Sequence, residues 1–345
     1  MRATPLLSVL ILVLPGCTKE LDLPLPTQEN ELVLNGLLHP DHAIQISLTT
    51  TLPSSTTTTI FPVVDNAVVT LYEDDAMVGN LTFLDSLYSI DYYPKVGRTY
   101  TIEAAAAGYP TVRASDVVPP PPDVTICFRE DTADRYQFSD AILNVAIHDP
   151  AQEANAYWLD TQRTSPGRGC EVKRDSIVWE NSGPRFIEFD TIMCEGNAPP
   201  TFAKSRAYYY ESFSPVPDRF NAYIDTFFGG VTVYEGYVRI DDSASDGELI
   251  AFELAAGRYR YLTRYPRIHD QLSATATVTN ASRHYDRYLK SSITYHLNRN
   301  YSENEDIGFK PFVQFSQVYS NAENGTGILA AYNSVTLEIG DFPCD

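Results

Sequence analysis

The sequence predicts a mainly β fold in two parts, a β-sandwich over residues 31–118 and a larger β-rich domain over 124–345 that carries one amphipathic helix. Three observations predict it. Apolar and polar residues alternate along short runs bounded by turn residues, the pattern of strands with one buried face. Four prolines, Pro119–Pro122, interrupt the chain and favour a stiff extended segment. Sustained helical periodicity is found from Ser282 to Leu297.

In the first part, strands are expected at Glu31–Leu38, Ala43–Thr49, Ala67–Tyr72, Gly79–Leu84, Tyr88–Tyr92, Thr99–Ala104 and Thr111–Ser115. Ala67, Val69 and Leu71 share one face, and Tyr100, Ile102 and Ala104 repeat the pattern. Gly97 and Gly108 mark turns. This succession of short strands is that of an immunoglobulin- or transthyretin-like sandwich. Thr49–Thr59, broken by Pro53, reads as a surface loop, and residues 119–123 read as the linker between the two parts.

In the second part, strands are expected at Ala141–Ile147, Ala156–Thr161, Ile177–Glu180, Ile187–Asp190, Val231–Ile240, Leu249–Leu254 and Thr275–Thr279. The helix follows, with Tyr285, Tyr288, Leu289, Ser292, Ile293, His296 and Leu297 at helical spacing and Ser282 as its cap. A last strand pair, Phe312–Tyr319 and Gly327–Ile339, brackets Asn324-Gly325, a strong turn signal.

The amino terminus gives an address. Arg2 precedes Leu6–Leu14, an apolar run broken only by Ser8 and too short to remain as a membrane-spanning helix. It ends in Leu14-Pro15-Gly16-Cys17, which resembles a bacterial lipobox. Residues 1–16 are therefore read as a signal peptide and Cys17 as the lipid-attachment site, carrying diacylglycerol and a further acyl chain such as palmitate. Several chains anchor stably where one holds only marginally. Residues 17–30 are read as the tether, with acidic residues close behind the anchor and two prolines beyond them. The expected location is the outer membrane, lipid-anchored, with the periplasmic face and the cell surface both open to it.

Composition narrows the partners. Forty-five acidic against 25 basic residues leave a net charge of −20 over 345 residues, which repels phosphate backbones and argues against nucleic acid. Besides Cys17, an exported chain with Cys127, Cys170, Cys194 and Cys344 invites disulfides, and four cysteines allow three pairings. The favoured arrangement is Cys170–Cys194, closing a short loop, with Cys127–Cys344 joining the ends of the second part.

Catalytic signatures are missing: there is no Gly-x-Ser-x-Gly, His-Glu-x-x-His, P-loop or dinucleotide fingerprint. No enzymatic activity and no cofactor are expected. His39-Pro40-Asp41-His42 gathers two imidazoles and a carboxylate but reads better as a polar hairpin connection. Asp241–Glu248 concentrates hard oxygen ligands near Gly247, yet lacks the closing acid of an EF-hand and reads as a solvated turn. The first choice for a binding surface is the aromatic tract of Tyr208, Tyr209, Tyr210, Phe213, Phe220 and Tyr223. Aromatic faces suit sugars and partner proteins, although they also fill cores.

A family resemblance runs the length of the chain. Leu32-Val33-Leu34-Asn35-Gly36, Val63–Val69, Gly97–Ile102, Gly108-Tyr109 and Tyr285-Asp286-Arg287-Tyr288-Leu289 carry it, and Val318–Leu329 with its Ser-Asn and Asn-Gly-x-Gly is the most specific part. Together they resemble the Bacteroidota lipoprotein family catalogued as domain of unknown function 4249. The resemblance implies a cell-envelope lipoprotein often encoded beside TonB-dependent outer-membrane receptors, and it supplies no catalytic residue. The expected role is a non-catalytic accessory or ligand-presenting partner of such a receptor. The alternative is a stand-alone glycan- or calcium-binding surface lipoprotein.

Overall fold

The computed structural model describes residues 30–52, 60–130, 139–151, 154–166, 170–173, 176–180, 183–188, 191–194, 202–206, 209–212, 237–242, 246–257, 274–303 and 317–338. The expected leader, Cys17 and all but the last residue of the expected tether lie outside the described residues.

Eight strands precede the prolines: β1 (Leu32–Leu38), β2 (Ile44–Thr50), β3 (Val68–Glu73), β4 (Ala76–Asn80), β5 (Thr82–Leu84), β6 (Leu87–Ile90), β7 (Thr99–Ala105) and β8 (Val112–Val117). The single strand expected at Gly79–Leu84 is two, in different sheets. Buried Leu81 separates them and donates its N–H to the Val69 carbonyl at 2.8 Å. Two-residue turns flank this crossing, Asp74-Asp75 and Asp85-Ser86, all four residues at positive φ from 49° to 69°. Short polar residues accept that left-handed backbone, which matches the twist of a tight hairpin.

Beyond the prolines come β9 (Asp123–Glu130), β10 (Ser139–His148), β11 (Ala156–Pro166), β12 (Cys170–Lys173), β13 (Ser176–Glu180), β14 (Gly183–Glu188), β15 (Thr191–Cys194), β16 (Phe202–Arg206), β17 (Tyr209–Ser212), β18 (Tyr237–Asp241), β19 (Leu249–Gly257), β20 (Ala274–Ala281), helix α1 (Arg283–Glu303) and β21 (Thr326–Glu338). Of the strand expected at Ile187–Asp190, Ile187 and Glu188 end β14, β15 starts at Thr191, and residues 189–190 lie outside the described residues. The protein is thus mainly β, with one helix among the described residues.

Among the described residues, a nine-stranded sheet runs β16-β11-β20-β21-β1-β2-β6-β5, with β18 also paired to β11. A four-stranded sheet, β4-β3-β7-β8, faces its β1–β6 end, and a second, β17-β19-β10-β9, packs at the other end. Ribbons β12-β15 and β13-β14 complete the set. The alternation expected from sequence holds where it was clearest: Val69, Leu71, Tyr100, Ile102 and Ala104 are all fully buried. They meet Leu34, Ile46 and Leu48 from the large sheet. The second core gathers Leu143, Val145 and Ile147 of β10 with Tyr157, Leu159, Val278 and Ile250. Each such aliphatic side chain contributes about 1.5–3 kcal/mol on leaving water.

The last described strand corrects the expected terminal hairpin. β21 runs parallel to β1, from Val33 opposite Thr326 to Leu38 opposite Ala331, and antiparallel to β20. Residues 317–322 are not strand, and 312–316 lie outside the described residues. The Asn321 side chain takes the place of a strand neighbour: its Nδ2 donates to the Leu329 carbonyl at 2.8 Å and its Oδ1 accepts from the Leu329 N–H at 3.0 Å. The glycines after Asn324 serve close approach to β1. A Cβ on Gly325 would stand 2.6 Å from the Leu32 carbonyl oxygen, and one on Gly327, at φ +113°, only 2.1 Å from that of Leu34.

β21 therefore stitches residues near both ends of the chain into one sheet, and its Leu329 and Ala331 join the core of the first part. The prolines run over this seam. Asn333 Nδ2 donates to the Pro119 carbonyl at 3.2 Å, and Asn280 Nδ2 to that of Pro120 at 3.1 Å.

Candidate functional site

Helix α1 begins where β20 ends, and its start is built around Ser282. The Ser282 hydroxyl accepts the Tyr285 N–H at 3.1 Å, the cap expected from sequence. The same hydroxyl donates to the buried Asp116 carboxylate of β8, which also accepts the N–H groups of Ala331 at 2.7 Å and Val117 at 2.9 Å. Three elements thus converge on one carboxylate. Burial pushes Asp116 up to about 6, although its three hydrogen bonds pull the other way.

One turn later, Asp286 points inward beneath the helix. It accepts both Nε and Nη2 of Arg239 at 2.5 and 2.9 Å, and the Trp158 indole N–H at 3.1 Å. Lys290 lies 3.3 Å away. Burial alone would raise this carboxyl, but the Arg239 guanidinium and the Lys290 ammonium outweigh it and hold Asp286 below the ordinary carboxylate range. Tyr285, Leu289 and Ile293 lay the apolar stripe of the helix on Trp158 and Ala281. These carboxylates are held by structural partners, which leaves the outer face of α1 for contact with ligands.

That face carries Arg287, Lys290, Ser291 and Thr294, spaced i, i+3, i+4 and i+7, which puts them in one row. Opposite runs the segment Gln317-Val318-Tyr319-Ser320, and between the two lies an open groove of about 620 Å³. The wall is fixed in place. Tyr319 donates its N–H to the Ser291 hydroxyl at 2.8 Å, and its phenol bonds His284 Nδ1 at 2.7 Å. The His284 and Tyr319 rings stack at 5.9 Å, and the Arg287 guanidinium sits 5.7 Å from the Tyr319 ring centre. Burial, with Arg287 and Arg283 nearby, holds His284 below its ordinary value, so the imidazole is neutral at pH 7.

The residues singled out in the sequence are placed differently. Tyr209 and Tyr210 lie in β17, at the edge of the β17-β19-β10-β9 sheet, with Tyr209 opposite Ala256. Tyr208, Phe213, Phe220 and Tyr223 lie outside the described residues. Cys127 is disulfide-bonded, and the β12–β15 register sets Cys170 directly across from Cys194. Cys344 lies outside the described residues.

His39 and His42 sit in the turn between β1 and β2, where His39 Nδ1 accepts the Asp41 N–H at 3.1 Å and its ring packs 4.9 Å from Tyr332. Of the acidic loop, buried Asp242 accepts the Asn155 N–H at 2.6 Å. Gly247 donates its N–H to Asp149, which also accepts the Tyr157 hydroxyl. Among the described residues, no group of three or more His, Cys, Asp or Glu is placed to hold a metal ion.

The groove was missed in the sequence because its two walls are separated by residues 295–316. One wall was half visible: four hydrophilic residues in a row on an amphipathic helix. Of the other wall, Val318, Tyr319 and Ser320 belong to Val318–Leu329, the segment most specific to the family resemblance.

A family model described as "Domain of unknown function (DUF4249)" matches residues 18–338. The chain belongs to this family. Its match begins at the residue after Cys17 and ends with β21, so it spans both cores, α1 and the groove. No curated protein matches the chain.

Proposed function

We propose that this DUF4249 protein is a non-catalytic lipoprotein of a bacterial outer membrane, held by a lipid on Cys17, which assists a TonB-dependent receptor. It does so by contacting the receptor or by presenting a ligand to it. The observation that carries the proposal is the order of features in the chain: an apolar leader, Leu14-Pro15-Gly16-Cys17, a tether to residue 30, and then the family's β-rich body. A lipid at Cys17 and a tether of that length keep the body close to a receptor in the same membrane, which raises the effective concentration of one for the other. The groove beside α1 supports the ligand-presenting form of the role, since it is open, preformed and of a size that suits a small molecule.

Anchoring is tested by labelling cells with radioactive palmitate and fractionating them. Label in the wild-type band and its disappearance in Cys17→Ala, with release of the protein from the membrane fraction, is the expected result. An unlabelled wild type removes the anchor from the account. The receptor is tested separately, by crosslinking and co-purification from native membranes.

A further inference from the structure

We propose that the groove between α1 and residues 317–320 is a binding site for a small hydroxylated carboxylate, of the size of an acidic monosaccharide. The inference goes beyond the accessory role and does not depend on it, because the site belongs to this chain alone.

Charge is the first argument. In a chain of net charge −20, the groove is lined by Arg287 and Lys290 and by no acidic residue among those described. Asp286 lies under the helix, engaged by Arg239 and the Trp158 indole and shared with Lys290, whose ammonium stands 3.3 Å from its carboxylate. Arg287 is exposed and has no carboxylate partner among the described residues, while its contact with the Tyr319 ring holds the guanidinium at the groove. A guanidinium presents paired N–H donors whose geometry matches the two oxygens of a carboxylate, and Lys290 adds a point charge one turn along.

Preorganisation is the second. Tyr319 is held at three points, through its backbone N–H, its hydroxyl and its ring, so its position is set before a ligand arrives. A wall already ordered has little freedom left to lose on binding. The remaining surface is mixed. Val318 and the Tyr319 ring suit the C–H face of a sugar ring, and the hydroxyl oxygens of Thr294 and Ser320 have lone pairs for ligand hydroxyls.

The test is calorimetric titration of the purified full-length protein with D-glucuronate, D-glucose, glucose 6-phosphate and acetate at one ionic strength. Glucuronate is expected to bind, with glucose and acetate each at least tenfold weaker. Arg287→Gln is expected to weaken glucuronate at least tenfold while the melting temperature without ligand stays within a degree or two, and Arg287→Lys to fall between. Lys290→Gln is expected to weaken it by a smaller factor. Equal affinity for glucose and glucuronate, stronger binding of the phosphate ester, wild-type affinity in Arg287→Gln, or no heat from any probe would each overturn the assignment.

Discussion

Asp116 shows how much one side chain can hold. Its carboxylate takes hydrogen bonds from the start of α1, from β21 and from its own strand, and burial still leaves it at about 6 against an ordinary 3.8. A carboxyl raised on folding binds its proton more tightly in the folded state than in the unfolded one. Its stabilising contribution is therefore full below pH ~4 and is lost as pH rises through about 6. The size at pH 7 is about 3 kcal/mol of lost stability. Asp286, held low, acts with the opposite sign and only as pH falls below its ordinary 3.8. The melting temperature of the wild type is expected to rise between pH 7 and pH 5, and that of Asp116→Asn to change less over the same range. Parallel curves for the two proteins would remove Asp116 as the source. Gly327 is a second residue whose role is geometric. Gly327→Ala would drive a methyl into the Leu34 backbone at a φ that disfavours side chains, and is expected to cost about 3 kcal/mol or more, read by urea unfolding. Asn-Gly-x-Gly was visible in the sequence as a turn. That its glycines admit a parallel neighbour was not, because the neighbour is Leu32–Leu34, far away along the chain.

Helix α1 divides cleanly into what is local and what is not. Its existence and its Ser282 cap were legible from spacing and from one hydroxyl residue. The helix runs to Glu303, past the expected end at Leu297, because the apolar period that marked it stops before the backbone does. Ser282→Ala removes the cap and one of the three donors to Asp116, and is expected to cost about 1–3 kcal/mol in chemical denaturation. Asp286→Ala removes the bidentate partner of buried Arg239, for an expected loss of about 3–5 kcal/mol. A loss under 1 kcal/mol would mean that Arg239 is held well enough by its other contacts. Neither Arg239 nor Trp158 could be tied to the helix from sequence, since hydrogen bonding across 47 and 128 residues leaves no periodic trace. The strands follow the same rule. Period-two alternation found β1, β2, β3 and β7 within a residue or so. It merged β4 with β5, where the chain changes sheets at Leu81 without a break in its pattern.

At the scale of the molecule, the sequence suggests two parts with prolines between them, and the structure adds a seam. β21 lies between β1 and β20, so the first and last described strands are neighbours, and Asn280 and Asn333 hold the prolines against that seam. A body built this way joins its two parts through a continuous sheet rather than across a flexible joint. Such an arrangement suits the proposed role at a membrane surface beside a larger partner. The measurement that tests this account most directly is crosslinking and affinity purification of the tagged protein from native outer membranes, read by mass spectrometry, with Cys17→Ala as the unanchored control. The account predicts that one TonB-dependent receptor co-purifies with the wild type and is depleted with Cys17→Ala. Recovery of the wild-type protein from the membrane without any such receptor would contradict it.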